Sequence, residues 1–219
     1  MSRTVVAVSG FSSEVGKTTL ACELLRGLPG WEAVKMTRGH YRSCGKSAHA
    51  CCVSHLLSEE PVIRSGRAET YAPGKDTGRY WDAGASNVHW VIVTDGQVER
   101  GVRAALGRVK AEGVIVEGNS FLDFVGVDFA LMVARASGGK VKASARRALR
   151  KCSAVYLSEE EGATPGPQAR PGAWLEEPFY RELVGGLPVY TKAELPQLIA
   201  RLSSLHQARD AFEEAAMKR

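Results

Sequence analysis

What this sequence lacks narrows it first. No stretch approaches the ~20 consecutive apolar residues that cross a bilayer, so a membrane-spanning protein is not expected. The first apolar run, Val5 to Val8, is too short for a secretory h-region and leads directly into a glycine-bounded loop. Five cysteines are an odd number, and a chain of 219 residues buries enough surface to need no disulfide scaffold. Free or metal-bound thiols in the cytoplasm are therefore the expectation. The net charge of +5 is modest; it favours phosphate-rich ligands without arguing for nucleic acid. Acidic residues are absent from Phe129 to Ser158, where Arg135, Lys140, Lys142, Arg146, Arg147, Arg150 and Lys151 all fall. These basic residues form either a phosphate- or cofactor-binding face or a solvated helix surface. There is no internal repeat. The length suits one domain, residues 1–205, with residues 206–219 as a charged helical tail that either packs on a partner or frays, and a homodimer is left open.

What is present is concentrated in residues 4–20, TVVAVSGFSSEVGKTTL. Val5, Val6, Ala7 and Val8 read as a short buried strand ending at Ser9-Gly10. Leu20, Leu24, Leu25 and Leu28 fall on one face of a following helix. Between strand and helix lies Ser12-Ser13-Glu14-Val15-Gly16-Lys17-Thr18-Thr19, a loop of the kind that wraps a phosphate. Its backbone N–H groups and the helix N-terminus favour an anion. Lys17 supplies a point charge for the β- and γ-phosphates, and the Thr18 hydroxyl suits Mg²⁺. Gly10 and Gly16 are separated by one residue more than usual, so Phe11 occupies the customary first-glycine position.

The run GFSSEVGKT resembles the loop of dethiobiotin synthetase and related amide-forming synthetases, which share the longer spacing. That resemblance implies a P-loop protein of the broad class that includes MinD-type ATPases and nickel-insertion GTPases. It also implies that Glu14 can turn its carboxylate toward a metal–phosphate complex; a solvated loop charge is the plainer alternative.

Leu28-Pro29-Gly30 stops the first helix, and Trp31 to Met36 reads as a second strand. Lys35 stands near its C-terminal edge, where open parallel sheets meet their ligands, and the synthetases carry a lysine there. It serves a phosphate or is simply a strand-end charge. In residues 40–55, His40, Cys44, His49, Cys51, Cys52 and His55 gather soft ligands suited to zinc or an iron–sulfur cluster. The favoured set is Cys44, one of Cys51 and Cys52, and His55. The spacing matches no standard module, and buried thiols with loop histidines are the competing reading.

Pro73-Gly74-Lys75-Asp76, an aromatic- and Arg-containing helical turn, Ala83-Gly84-Ala85 and the apolar strand 88–94 follow in order. That order is similar to the MobB family (molybdopterin-guanine dinucleotide biosynthesis protein B), nucleotide-binding accessory proteins of molybdenum-cofactor maturation. The similarity covers residues 4–157, but the histidine that usually follows the family's strand-end lysine is replaced by Met36. Asp76 is a candidate Mg²⁺ contact, or else a cap of the helix after it. Asp95 is the expected cap of the helix carrying Val98, Val102, Ala105, Leu106 and Val109. Val114-Ile115-Val116-Glu117-Gly118 is a strand delivering a carboxylate at its end, where nucleotide-bound Mg²⁺ needs one. Both resembled families show the same VEG sequence there. Lys17, Lys35 and Glu117 are thus the candidate catalytic residues; Thr18, Asp76 and Glu117 are the candidate Mg²⁺ residues.

Residues 159–171, rich in Glu and Pro, read as a lid or mobile segment. The P-loop resemblance implies base recognition there, and with no N-K-x-D guanine signature ATP and GTP both stay open. Thr191 and Glu194 form a capping-box pattern before the last helix. The expected architecture is a three-layer α/β P-loop NTPase fold with a mainly parallel sheet of about seven strands. The leading functional expectation is a MobB-like nucleotide-binding accessory protein with weak NTPase activity. A molybdopterin-type cofactor or a partner enzyme would be its associate. An ATP-dependent synthetase or kinase, or a metal-handling NTPase using the Cys/His stretch, are the alternatives.

Overall fold

A computed structural model describes residues 3–40, 53–159 and 172–217. The strands are β1 (Thr4–Gly10), β2 (Glu32–Arg38), β3 (Val62–Ser65), β4 (Val88–Val93), β5 (Gly113–Glu117), β6 (Phe129–Arg135), β7 (Ala154–Ser158) and β8 (Val189–Tyr190). The helices are α1 (Lys17–Gly27), α2 (Arg67–Thr70), α3 (Asp76–Asp82), α4 (Val98–Arg108), α5 (Ala143–Leu149), α6 (Pro178–Val184) and α7 (Leu195–Met217). One sheet runs in the order β3-β4-β2-β5-β1-β6-β7-β8, parallel throughout except for the antiparallel edge pair β3–β4. The expected architecture holds, with eight strands rather than about seven.

β1 and β5 are buried along their whole length, as strands covered on both faces must be. On one face Val6, Val8, Ala33, Ile115 and Leu131 pack beneath Leu20 and Leu24 of α1, Tyr80 of α3, and Leu198 and Leu202 of α7. On the other, Val5, Ala7, Val114, Val116 and Met132 meet Val98 and Val102 of α4, Ala145 and Leu149 of α5, and Val184 of α6. This is the three-layer arrangement a parallel sheet requires.

Two caps differ from expectation. Thr94, not Asp95, opens the 3-10 turn that leads into α4, in a reciprocal box with Gln97. The amide side chain of Gln97 also ties down the Ser58 and Glu59 carbonyls, at 2.9 and 2.7 Å. Asp95 instead pairs with Arg38 at 2.8 Å. Before α7, the Glu194 carboxylate accepts the Thr191 N–H at 2.7 Å, but the Thr191 hydroxyl takes the N–H of Ala193 rather than that of Glu194.

A buried polar network, unseen in the sequence, lies toward the opposite end of the sheet from the β1–α1 loop. His89 Nε2 meets Glu32 Oε2 at 2.7 Å, and His89 Nδ1 meets the Ser65 hydroxyl at 2.8 Å. Glu32 Oε1 accepts the N–H groups of Lys110 and Ala111, both at 2.8 Å. The network ties β2, β3, β4 and the α4–β5 turn together, which is how a buried carboxylate is made tolerable.

Candidate functional site

The β1–α1 connection is a strained turn in a fixed cradle. Gly16 (φ 87°) and Glu14 (φ 59°) both occupy the left-handed region, and among the described residues Glu14 is the sole non-glycine to do so. Such a residue costs of order 1–3 kcal/mol and marks a turn over-determined by its surroundings. Asn119, just past β5, pins the start of the loop: its Oδ1 accepts the Gly10 N–H and its Nδ2 donates to the Gly10 carbonyl, both at 2.9 Å. At the other end, the Ser158 hydroxyl donates to the Val15 carbonyl at 2.7 Å. Phe11 is tolerated in the unusual first-glycine position because its ring leaves the loop. It is buried edge-on against Trp174 (centroids 5.7 Å apart), and its N–H bonds the Val133 carbonyl.

Parallel pairing then assembles the acids and bases. The β2–β5 register sets Lys35 directly opposite Glu117, and the β1–β5 register sets Glu117 beside Val8, at the foot of the loop. Lys35 Nζ lies 2.5 Å from Glu117 Oε1 and 2.6 Å from Asp76 Oδ2. Thr18 Oγ1 donates to Glu117 Oε2 at 2.9 Å, and the buried Tyr80 hydroxyl donates to the same oxygen. Lys17 Nζ donates back to the Ser12 carbonyl at 2.9 Å. Lys17, Thr18, Lys35, Asp76 and Glu117 therefore meet in one cluster. Asp76 does not cap α3 but stands at its first position, with its carboxylate on Lys35.

Further cations border the loop. Arg79 of α3 donates to Thr19 Oγ1 at 3.1 Å, Arg135 of β6 to the Glu14 carbonyl at 2.8 Å, and Lys142 to the Ser13 hydroxyl at 2.7 Å. The acid-free basic segment thus divides. Arg135 and Lys142 reach the loop, while Arg147 and Lys151 face Asp123 at 3.5 and 4.0 Å, and Arg146 stacks over Phe179.

These surroundings shift the titrations. Burial lowers the Lys17 pKa, and Lys35 and Lys142 add to it against the pull of Glu117. Burial also works against the Lys35 charge, but Glu117 and Asp76 outweigh it and hold its pKa above the ordinary lysine value. The Asp76 carboxyl is likewise penalised by burial, yet Lys35, Thr18 and Arg79 bring it below its usual range. The donor set fits Mg²⁺: one hydroxyl and two carboxylates, all hard oxygens, gathered beside a phosphate loop.

Of the Cys/His stretch, Cys44, His49, Cys51 and Cys52 lie outside the described residues, as does most of the 159–171 loop. Among the described residues no group of three or more His, Cys, Asp or Glu is arranged to hold a metal ion. Nor is any described helix long and apolar enough to cross a membrane.

The sequence pattern singled out the loop, both lysines and both acids. It gave no role to Tyr80, Arg79, Asn119 or Ser158. Tyr80 and Arg79 lie in the quoted helical turn, and Asn119 falls two residues after Glu117. Spacing alone does not say which of their atoms face the loop.

A strand, a left-handed glycine turn and a helix carrying Gly-Lys-Thr, set in a parallel α/β sheet, define the P-loop NTPase class. No protein-family model and no curated protein matches the sequence. Among solved structures, the chain is similar to the "apo" form of LpxK from Aquifex aeolicus in complex with ATP. That match is 16% identical with a TM-score of 0.48, over 87% of this chain and 54% of the other. It is also similar to a zinc(II)-bound triple mutant of YjiA GTPase, 14% identical with a TM-score of 0.42, over 87% of this chain and 58% of the other. The chain spans little more than half the length of either.

Proposed function

We propose that the chain is a Mg²⁺-dependent nucleoside-triphosphate-binding protein with weak NTPase activity, acting as a MobB-like accessory factor in molybdenum-cofactor maturation. The observation that carries the nucleotide reading is the convergence of Thr18, Lys35, Asp76 and Glu117 beside Lys17. Four charged groups do not gather at a strained turn for stability alone, because each loses solvation there. The loop backbone and Lys17 would hold the β- and γ-phosphates. Thr18, Glu117 and Asp76 would hold Mg²⁺, which neutralises charge on the bound phosphates. Lys35, kept charged by its two carboxylates, would accompany the γ-phosphate. The accessory role rests on the Pro73–Ala85 pattern and its position before β4. A molybdopterin-type cofactor or a partner enzyme would be its associate.

Isothermal titration of Mg²⁺–ATP and Mg²⁺–GTP tests the binding. Lys17→Ala should lose about 2–5 kcal/mol of binding, the cost of removing one partner of a buried charge pair, with the fold intact by circular dichroism. Equal affinity in both proteins would remove the loop from the mechanism. A deletion strain with unimpaired molybdenum enzymes would sink the accessory role, and turnover that depends on an added small carboxylate would favour a synthetase.

A further inference from the structure

Glu117 is the most enclosed charge at the site. Its side chain is 2% exposed, and three donors hold its two oxygens: Lys35 on Oε1, Thr18 and Tyr80 on Oε2. Two of those donors have other duties. Lys35 is shared with Asp76, and Thr18 lies in the first turn of α1 beside the phosphate loop. Tyr80 has no such second task. It is 1% exposed, and it sits four residues after Asp76 on α3, so both side chains leave the same helical face toward the cluster.

We infer that Tyr80 is a positioning residue: its buried hydroxyl fixes the Glu117 carboxylate so that Thr18 and Glu117 together present a preformed seat for nucleotide-bound Mg²⁺. This rests on the nucleotide reading above. The Thr18 hydroxyl can donate its proton to Oε2 while a lone pair faces a cation, whereas Lys35 is free to follow a phosphate. Tyr80 is then the one donor to Glu117 that takes no part in holding the ligand itself. A neutral donor is what this place needs, since a third cation would compete with Mg²⁺ for the carboxylate. Partners of this kind orient a metal's carboxylates, and losing one typically costs about 10–100-fold in metal affinity.

The test is a double-mutant cycle read by titration of nucleotide with and without Mg²⁺. Tyr80→Phe keeps the ring and removes the donor. It should leave affinity in EDTA unchanged and cut the Mg²⁺-dependent gain about 10-fold or more. In a Glu117→Gln background the same change should cut nothing further. A Tyr80→Phe protein that melts earlier but keeps the full Mg²⁺ gain, or a loss that persists undiminished in Glu117→Gln, would reduce Tyr80 to a core residue. A wild type with no Mg²⁺ gain at all would instead remove the functional reading, and that arm is measured first. Should Tyr80→Phe not fold, wild type labelled with 3-fluorotyrosine gives a second readout. The fluorine signal that moves in Glu117→Gln must also move when Mg²⁺ joins the nucleotide complex; a stationary signal overturns the role.

Discussion

Lys17 and Lys35 stand at the same lip and contribute to stability with opposite signs. A folded-state pKa below the ordinary lysine value means the charged Lys17 disfavours the folded state at neutral pH. That penalty is relieved as pH rises through the lowered folded value. Lys35 has the reverse sign. Its stabilisation is fully present below the ordinary value of 10.5 and is lost as pH rises through the raised folded value. Asp76 contributes above the ordinary carboxylate value of 3.8 and loses this as pH falls through its lowered folded value; with its side chain 44% exposed, solvent screening keeps the effect small. In urea unfolding without nucleotide, Lys17→Met should therefore be as stable as wild type or more so. Lys35→Met should lose about 3–5 kcal/mol, because it leaves the buried Glu117 charge behind. Equal losses in the two variants would show that the electrostatics have been assigned to the wrong groups.

At the scale of elements, α3 decides the site as much as the phosphate loop does. It brings Asp76, Arg79 and Tyr80 to the cluster, and its placement depends on Gly78. A Cβ at that position would lie 2.0 Å from the Ala72 carbonyl oxygen, a backbone atom that cannot turn aside. Gly78→Ala should push α3 off the preceding turn at a cost of about 1–3 kcal/mol. It should also weaken Mg²⁺-dependent nucleotide binding although no ligating group has changed. Chemical denaturation and titration of the same variant check both halves; a stability loss with intact Mg²⁺ dependence would separate α3 placement from the site. The sequence marked this helix by its pattern and offered Asp76 either a cap or a metal. It could not show which, because the cap geometry depends on Lys75 preceding it and on Lys35 arriving from another strand. The strands were legible as apolar runs, and Glu117 was legible as a strand-end acid. The pairing of β2 with β5, which sets Lys35 against Glu117, was not. Nor was the His89–Glu32 pair, whose members sit on separate strands with nothing nearby in sequence to link them.

For the whole molecule, the order of the sheet concentrates strain and charge at one end and a satisfied core at the other. β1 lies between β5 and β6, so the phosphate loop is gripped by Asn119 after β5, by Val133 and Arg135 of β6, and by Ser158 at the end of β7. The gripping residues sit on strands of the central sheet or, for Asn119, just past one, so a ligand held by the loop should oppose unfolding of the whole domain rather than order a loop alone. The stabilisation follows mass action: at about 100 times Kd, a ligand that binds only the folded state adds ~2.7 kcal/mol. For a chain of this length that corresponds to about 5–10 °C in Tm. Wild type should rise by this amount with Mg²⁺ and its preferred nucleotide, and by less when EDTA replaces the metal. Lys17→Ala should not rise at the same concentrations. Comparing ATP with GTP in the same scan identifies the base that the sequence left open. Identical small shifts with both nucleotides, indifferent to Mg²⁺ and to Lys17, would mean that the cluster at the end of β5 does not serve a triphosphate.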